Sequence, residues 1–152
     1  IFKDKGYDID IIRTVLYGLP LSIPLIKKAI RLLDEVKYKK SFQEFLTAFN
    51  RVDSIIKDIE QTEVDSALFE KNEEKVLFEK YKETNKKVKQ NLSERKLNQA
   101  YNNLMEIIEP VHDFFEEVRV MAEDEKVRQN RLALLNNIQL LMKSLGDFSY
   151  KQ

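Results

Sequence analysis

Apolar residues recur along this chain at intervals of three and four, the spacing that gathers them on one side of an α-helix. Ile9, Ile12, Val15 and Leu16 share such a side and predict a first helix over 9–17, with Asp8 as its cap and Gly18, Pro20 and Pro24 breaking the pattern. A second helix is predicted over 23–36, with Ile26, Ala29, Ile30 and Leu33 inward and Tyr38-Lys39-Lys40 as the connector after it. Ser41-Phe42-Gln43-Glu44 fits a capping box, in which the serine and the glutamate satisfy each other's backbone N–H groups. It predicts a third helix over 42–58. Phe42, Phe45, Leu46, Phe49, Val52, Ile55, Ile56 and Ile59 form the strongest stripe in the chain.

Residues 60–72 lack periodicity and predict a loop with one short turn at Asp65-Ser66-Ala67-Leu68-Phe69. Asn72 is the expected cap of a fourth helix over 73–90, with Val76, Leu77, Tyr81 and Val88 inward and Lys80, Lys86, Lys87 and Lys89 in water. Ser93 is the expected cap of a fifth over 94–108, with Leu97, Ala100, Tyr101, Leu104 and Ile108 inward. Pro110 fits the first position of the next helix, followed by Val111, Phe114, Phe115 and Val118. Asp124 starts the last helix; Val127, Arg131, Leu134, Leu135, Ile138, Leu141, Met142 and Leu145 share its inner side, and Gly146 ends it. No segment alternates as a half-buried strand does. The expected fold is all-α, a bundle of six or seven helices forming a single domain over 1–152, with short connections that make neighbours antiparallel.

Composition agrees with this reading. The chain of 152 residues is 34% charged and holds only three Gly and three Pro, which suits amphipathic helices. It has no Cys, which excludes disulfides and thiolate chemistry and fits a cytoplasmic protein. No apolar run reaches the roughly 18 residues that a membrane span needs. A first residue other than Met suggests a piece of a longer chain.

Lys plus Arg and Asp plus Glu are equal at 26 each, so the overall basic balance usual in a nucleic-acid binder is absent. The distribution is uneven: residues 71–96 hold nine basic and five acidic side chains, and residues 106–125 hold one basic and eight acidic. Any steering of a charged partner has to come from such local fields.

Catalytic chemistry finds little footing. Three scattered glycines make no phosphate loop, and the single His112 can form neither a nucleophilic triad nor a metal site with Cys or a second His. His112 reads as an exposed helix residue. Glu116-Glu117 and Glu123-Asp124-Glu125 lack the Glu-x-x-His pairs of a bundle metal site; the second group suits the positive end of the last helix. Lys86, Lys87, Lys89, Arg95 and Lys96 gather near the turn between helices four and five, as a solvated face or a phosphate-contact patch. Arg51 lies beside the third helix's stripe, and Arg131 lies within that of the last, near Arg128 and Asn130. An arginine so placed is paired, snorkelled or aimed at a ligand. Spacing alone leaves a structural ion pair and an RNA contact equally open.

One run is more specific. Val118-Arg119-Val120-Met121-Ala122-Glu123-Asp124-Glu125, continuing through Arg128-Gln129-Asn130-Arg131 to Leu134-Leu135, resembles the end of the bacterial glycyl-tRNA synthetase beta subunit. Pro110-Val111-His112-Asp113-Phe114-Phe115, Gly146-Asp147-Phe148-Ser149, Tyr7-Asp8-Ile9, Phe49-Asn50-Arg51-Val52 and Val64-Asp65-Ser66-Ala67-Leu68-Phe69 resemble further segments of it in the same order. The helical domain of arginyl-tRNA synthetase shares parts of the pattern.

The resemblance implies a non-catalytic C-terminal anticodon-binding domain, a fragment of a longer beta subunit, gripping the anticodon arm of glycine tRNA. The parent enzyme would be a class II ligase that joins glycine to its tRNA with ATP and magnesium. It would assemble from two alpha and two beta chains, with the aminoacylation site on the alpha subunit. No cofactor is expected in this domain, and neither a membrane nor DNA among its partners. Carried over by motif, Asn50, Arg51, Arg128, Asn130 and Arg131 become RNA contacts or supports for the contacting helix, with Lys86 and Lys87 from the basic run beside them. Asn50 stands where the motif has Lys, Ser54 where it has Asn, and Arg119 where it has Met. A docking module holding other parts of the synthetase together is the competing expectation.

Overall fold

The computed structural model describes residues 6, 8–18 and 22–150, apart from the side chains of residues 16–18 and 150. Pro20 and the Leu16 side chain therefore lie outside the described residues. Those described form seven α-helices and no strand: α1 (Ile9–Gly18), α2 (Ile23–Val36), α3 (Lys40–Ile55), α4 (Asn72–Ser93), α5 (Leu97–Met105), α6 (Ile108–Glu117) and α7 (Glu125–Met142). Single 3₁₀ turns lie at Ser66–Leu68, Lys143–Leu145 and Phe148–Tyr150. The all-α expectation holds. None of these helices is long and apolar enough to cross a membrane.

The stripes of α3 and α7 make the centre. Phe42, Phe45 and Phe49 of α3 are fully buried, and Phe148 from the C-terminal turn sits among them with ring centroids 5.9, 5.1 and 5.9 Å away. Buried aromatic rings at such separations meet edge to face, which their quadrupoles favour. On α7 every residue from Asn130 to Asn136 is buried, so this helix is enclosed rather than one-sided. Helix α4 packs along α5 and α6, α3 lies on α7, and α1 lies on α2 and the C-terminal turn.

Several expected helix starts move, for local reasons. Ser41 does not cap α3: the helix opens at Lys40, because the Gln43 N–H already bonds the Lys39 carbonyl oxygen at 3.1 Å. The same helix stops at Ile55 rather than 58, and Asp58 takes a left-handed φ of 64° just beyond it. Asn72 does not cap α4; the Glu74 carboxylate does, accepting from the Glu70 and Lys71 N–H groups at 2.7 and 2.8 Å. Helix α4 then runs on to Ser93, whose hydroxyl donates to the Gln90 carbonyl at 2.8 Å instead of capping α5. Pro110 is the third residue of α6, where its missing N–H still has no intrahelical partner to lose. Val76 is 45% exposed; Leu77, Thr84, Val88 and Asn91 line the inner side of α4. Asp124 caps α7 as expected, accepting from the N–H groups of Lys126 (2.9 Å) and Val127 (3.1 Å).

The end of α4 is a Schellman closure. The Lys96 N–H reaches back to the Asn91 carbonyl at 2.8 Å and the Arg95 N–H to the Leu92 carbonyl at 3.1 Å. The left-handed residue of this motif is usually glycine, yet here it is Arg95 with φ 60°. An L-residue with a Cβ loses roughly 1–2 kcal/mol in that conformation.

Glycine is required at 146. Its φ is +148°, and a Cβ there would stand 2.7 Å from Thr14 Cγ2 and 3.0 Å from the Thr14 carbonyl oxygen. The next residue ties the same two segments together, Asp147 donating its N–H to that Thr14 oxygen at 3.0 Å. Gly146→Ala is expected to destabilise the chain by about 1–3 kcal/mol, the usual cost of a residue held in a sparsely allowed backbone region. Urea unfolding with an unshifted midpoint would refute the close approach.

Candidate nucleic-acid interface

The residues singled out as RNA contacts separate into two groups. Arg131 is 4% exposed and Glu74 is 0% exposed, and they form a buried pair. Arg131 Nε donates to Glu74 Oε1 at 2.9 Å, Nη1 to the Arg119 carbonyl at 2.7 Å, and Nη2 to Glu70 Oε1 at 3.1 Å and Glu74 Oε2 at 3.4 Å. The guanidinium is thus engaged on all three nitrogens. Asn130, also buried, makes a two-way bond with the Asp65 backbone, accepting its N–H at 2.7 Å and donating to its carbonyl at 3.0 Å. Arg128 is half-buried and donates to the carbonyls of Ala122 (3.1 Å) and Glu123 (3.5 Å). All three of these α7 side chains bond to groups within the chain.

Other α7 amides extend the pattern. Asn136 Nδ2 donates to the carbonyls of Ile59 and Gln61 at 3.2 and 3.1 Å, and Asn137 Nδ2 to that of Thr62 at 2.6 Å. Gln139 donates to Asp53 Oδ1 at 2.6 Å. The α3–α4 connection is therefore held along α7 mainly through its own backbone groups. Sequence reading did not anticipate Glu74. The available signal was a carboxylate at helical spacing with Leu77, Tyr81 and Val88, a charge on an apolar side, matching the arginine on the apolar side of α7.

Burial raises the pKa of Glu74. The Arg131 hydrogen bond, two backbone N–H donors and the arginine's charge outweigh it, so the carboxyl is held below its ordinary value. A carboxylate depressed in the folded chain adds stability above the unfolded-state value of about 4.3, and that stability is lost as pH falls through the folded value.

Arg51 and Asn50 behave differently. Both are exposed, because the α3 stripe uses Phe45, Phe49, Val52 and Ile56 and leaves them to one side. The Arg51 guanidinium lies over the Phe115 ring of α6 at 4.3 Å. The two flank a groove of about 680 Å³ between α3 and α6, which Gln43, Thr47 and His112 also line. His112 is exposed, as read from the sequence. An arginine stacked on an aromatic ring beside amide, hydroxyl and imidazole groups offers flat faces and in-plane hydrogen bonds, the features that hold an unstacked base. Lys86 and Lys87 on α4 are exposed and do not line this groove. Lys87 bonds Glu83 at 2.8 Å, which holds its ammonium pKa above the ordinary value.

A seven-helix bundle with internally tied polar supports and an open arginine–aromatic groove defines a helical binding module. Residues 45–147 match the DALR anticodon binding domain, and the chain belongs to that family. It is 37% identical over 151 residues to the "Glycine–tRNA ligase beta subunit" of Thermodesulfovibrio yellowstonii, covering 97% of this chain and 22% of that protein. It is 35% identical over 152 residues to the protein of the same name from Thermotoga maritima (99% and 22% covered) and 33% over 147 residues to that of Persephonella marina (97% and 21%). The chain thus spans about a fifth of the length of these curated relatives.

Arg131→Met is expected to cost about 3–5 kcal/mol, because it strands the Glu74 charge in the interior. Replacing both partners, Glu74→Leu with Arg131→Met, should recover much of that loss. A double-variant loss equal to the sum of the two single-variant losses would show that the pair is not coupled. Glu74→Gln should flatten the fall in stability on acidification below about pH 4.3; an unchanged acid limb in pH-dependent denaturation counts against Glu74 as its source.

Proposed function

We propose that this chain binds the anticodon arm of glycine tRNA within a glycine–tRNA ligase, as a non-catalytic domain of the beta subunit. The observation that carries the reading is the family match over 45–147 falling on the helices that form the Arg51–Phe115 groove. The relatives' shared name supplies glycine tRNA as the partner to test. The parent enzyme would act with ATP and magnesium at a site outside this chain. It would work in the cytoplasm with two alpha and two beta subunits.

In this reading Arg51 is the direct contact. It supplies a guanidinium already oriented by Phe115, so little freedom is lost when a base or phosphate meets it. Asn50, one residue earlier on α3, is also exposed and has an amide donor and acceptor, but it does not line the groove. Arg128, Asn130 and Arg131 hold α7 and the α3–α4 connection in place, and act on RNA only through that geometry.

Arg51→Ala should weaken binding to an RNA stem-loop carrying the glycine anticodon arm about tenfold, or about 1.4 kcal/mol. Its unfolding midpoint should move little, since an exposed cation–π contact is worth about 0.5–1 kcal/mol. The same RNA with its anticodon bases replaced should bind the parent chain more weakly. Equal binding of both RNAs by fluorescence anisotropy, unaffected by Arg51→Ala, would leave a positioning module and refute anticodon contact at this groove.

A further inference from the structure

A second groove, of about 410 Å³, lies between α2 and the α4–α5 turn, away from Arg51. Lys28 and Arg31 of α2 line one side; Arg95, Lys96, Asn98 and Gln99 line the other. Glu35 is the one acidic residue in the lining. Lys96 is neutralised by Glu94 at 3.1 Å. Lys28, Arg31 and Arg95 are exposed and form no ion pair or side-chain hydrogen bond among the described residues. Some cations elsewhere are paired, as Lys37, Lys80, Lys82 and Lys87 are, and others such as Lys57, Lys75 and Lys126 form no ion pair among the described residues. What sets Lys28, Arg31 and Arg95 apart is that they line one groove from two elements.

Arg95 adds an independent observation. It occupies the left-handed position of the α4 Schellman closure, with φ 60°, where glycine is the favoured residue. The strained backbone sets an arginine at the mouth of the groove in a position where the turn itself would be better served without a side chain.

We propose that this groove is a second RNA-contact surface, gripping the ribose-phosphate backbone through Lys28, Arg31 and Arg95. Asn98 and Gln99 supply neutral donors beside them. The proposal rests on the tRNA reading above and extends it to a surface that the family motifs do not touch. Cations converging from two separate elements, with amides beside one set, suit a chain of phosphates, since each phosphate neutralised releases counterions. The groove and the Arg51 site have separate roles: the first holds backbone irrespective of base, and the second meets the bases.

The test is a salt titration of binding to the glycine anticodon-arm RNA, with the chain and three variants. Lys28→Gln/Arg31→Gln/Arg95→Gly removes the three cations and relieves the left-handed strain, so folding should be preserved in thermal melts. Lys57→Gln/Lys75→Gln/Lys126→Gln removes the same charge elsewhere; Lys75 stands about 30 Å along α4 from Arg95, at about 1.5 Å per residue. Arg51→Ala reports on the base site. The expected result is at least a tenfold loss of affinity for the groove variant on native and anticodon-altered RNA alike. Its log K against log salt slope should shrink by about 2, at roughly 0.7–0.9 per phosphate, while the control triple keeps the wild-type slope. If the groove variant binds like wild type while Arg51→Ala is weakened, the groove proposal falls and the tRNA reading stands. Equal losses in both triple variants would show only the chain's diffuse field and overturn the groove. If the unaltered chain binds neither RNA, the tRNA reading fails, and this proposal with it.

Discussion

A charged pair is buried between α4 and α7. Taking Arg131 and Glu74 out of water costs several kcal/mol for each ion, and the interior accepts them because nearly every polar atom of the pair is bonded. The Glu74 carboxylate serves two elements at once: it pairs with α7 and receives the free N–H groups before α4. The arginine also reaches the Arg119 carbonyl in the connection between α6 and α7. Three segments are thereby fixed in one register. An apolar pair of similar volume could fill the space, but it would not determine where α4 begins.

This arrangement decides which surfaces remain for a partner. Asn130 and Arg131 of α7 are buried and bonded within the chain, which leaves other side chains to face a partner. Side chains lying off the stripes, Arg51 among them, are the exposed ones. Arg51 is held over Phe115 by two helices packed on the same core, and the groove beside α2 is bounded by a closed helix end. Both are carried on regular elements whose positions follow from α3, α4 and α7, so side chains on them lose little freedom on binding.

The long stripes were readable in the sequence because burial on one side of α3 and along α7 leaves a regular record. Helix ends were less so. Ser41, Asn72 and Ser93 have the chemistry of caps, but neighbouring groups satisfied those backbone positions first, and a cap is recognisable only once its competitors are known. Glu74 and Arg131 lie 57 residues apart, and no local pattern joins them. The exposed place of Arg51 could be inferred from its offset beside the stripe, whereas the inward turn of Arg128 depended on the path of the 118–124 connection. The groove beside α2 could not be seen at all, since the sequence shows Arg95 and Lys96 but not that α2 brings Lys28 and Arg31 to face them.

Phe148 closes the cluster of Phe42, Phe45 and Phe49, and its neighbour Asp147 bonds back to Thr14 of the first helix. During synthesis, the aromatic centre therefore stays open on one side until nearly the whole of this segment has left the ribosome. All seven helical sequences precede that ring, so without it the Phe42, Phe45 and Phe49 surface would lack its cover even with every helix formed.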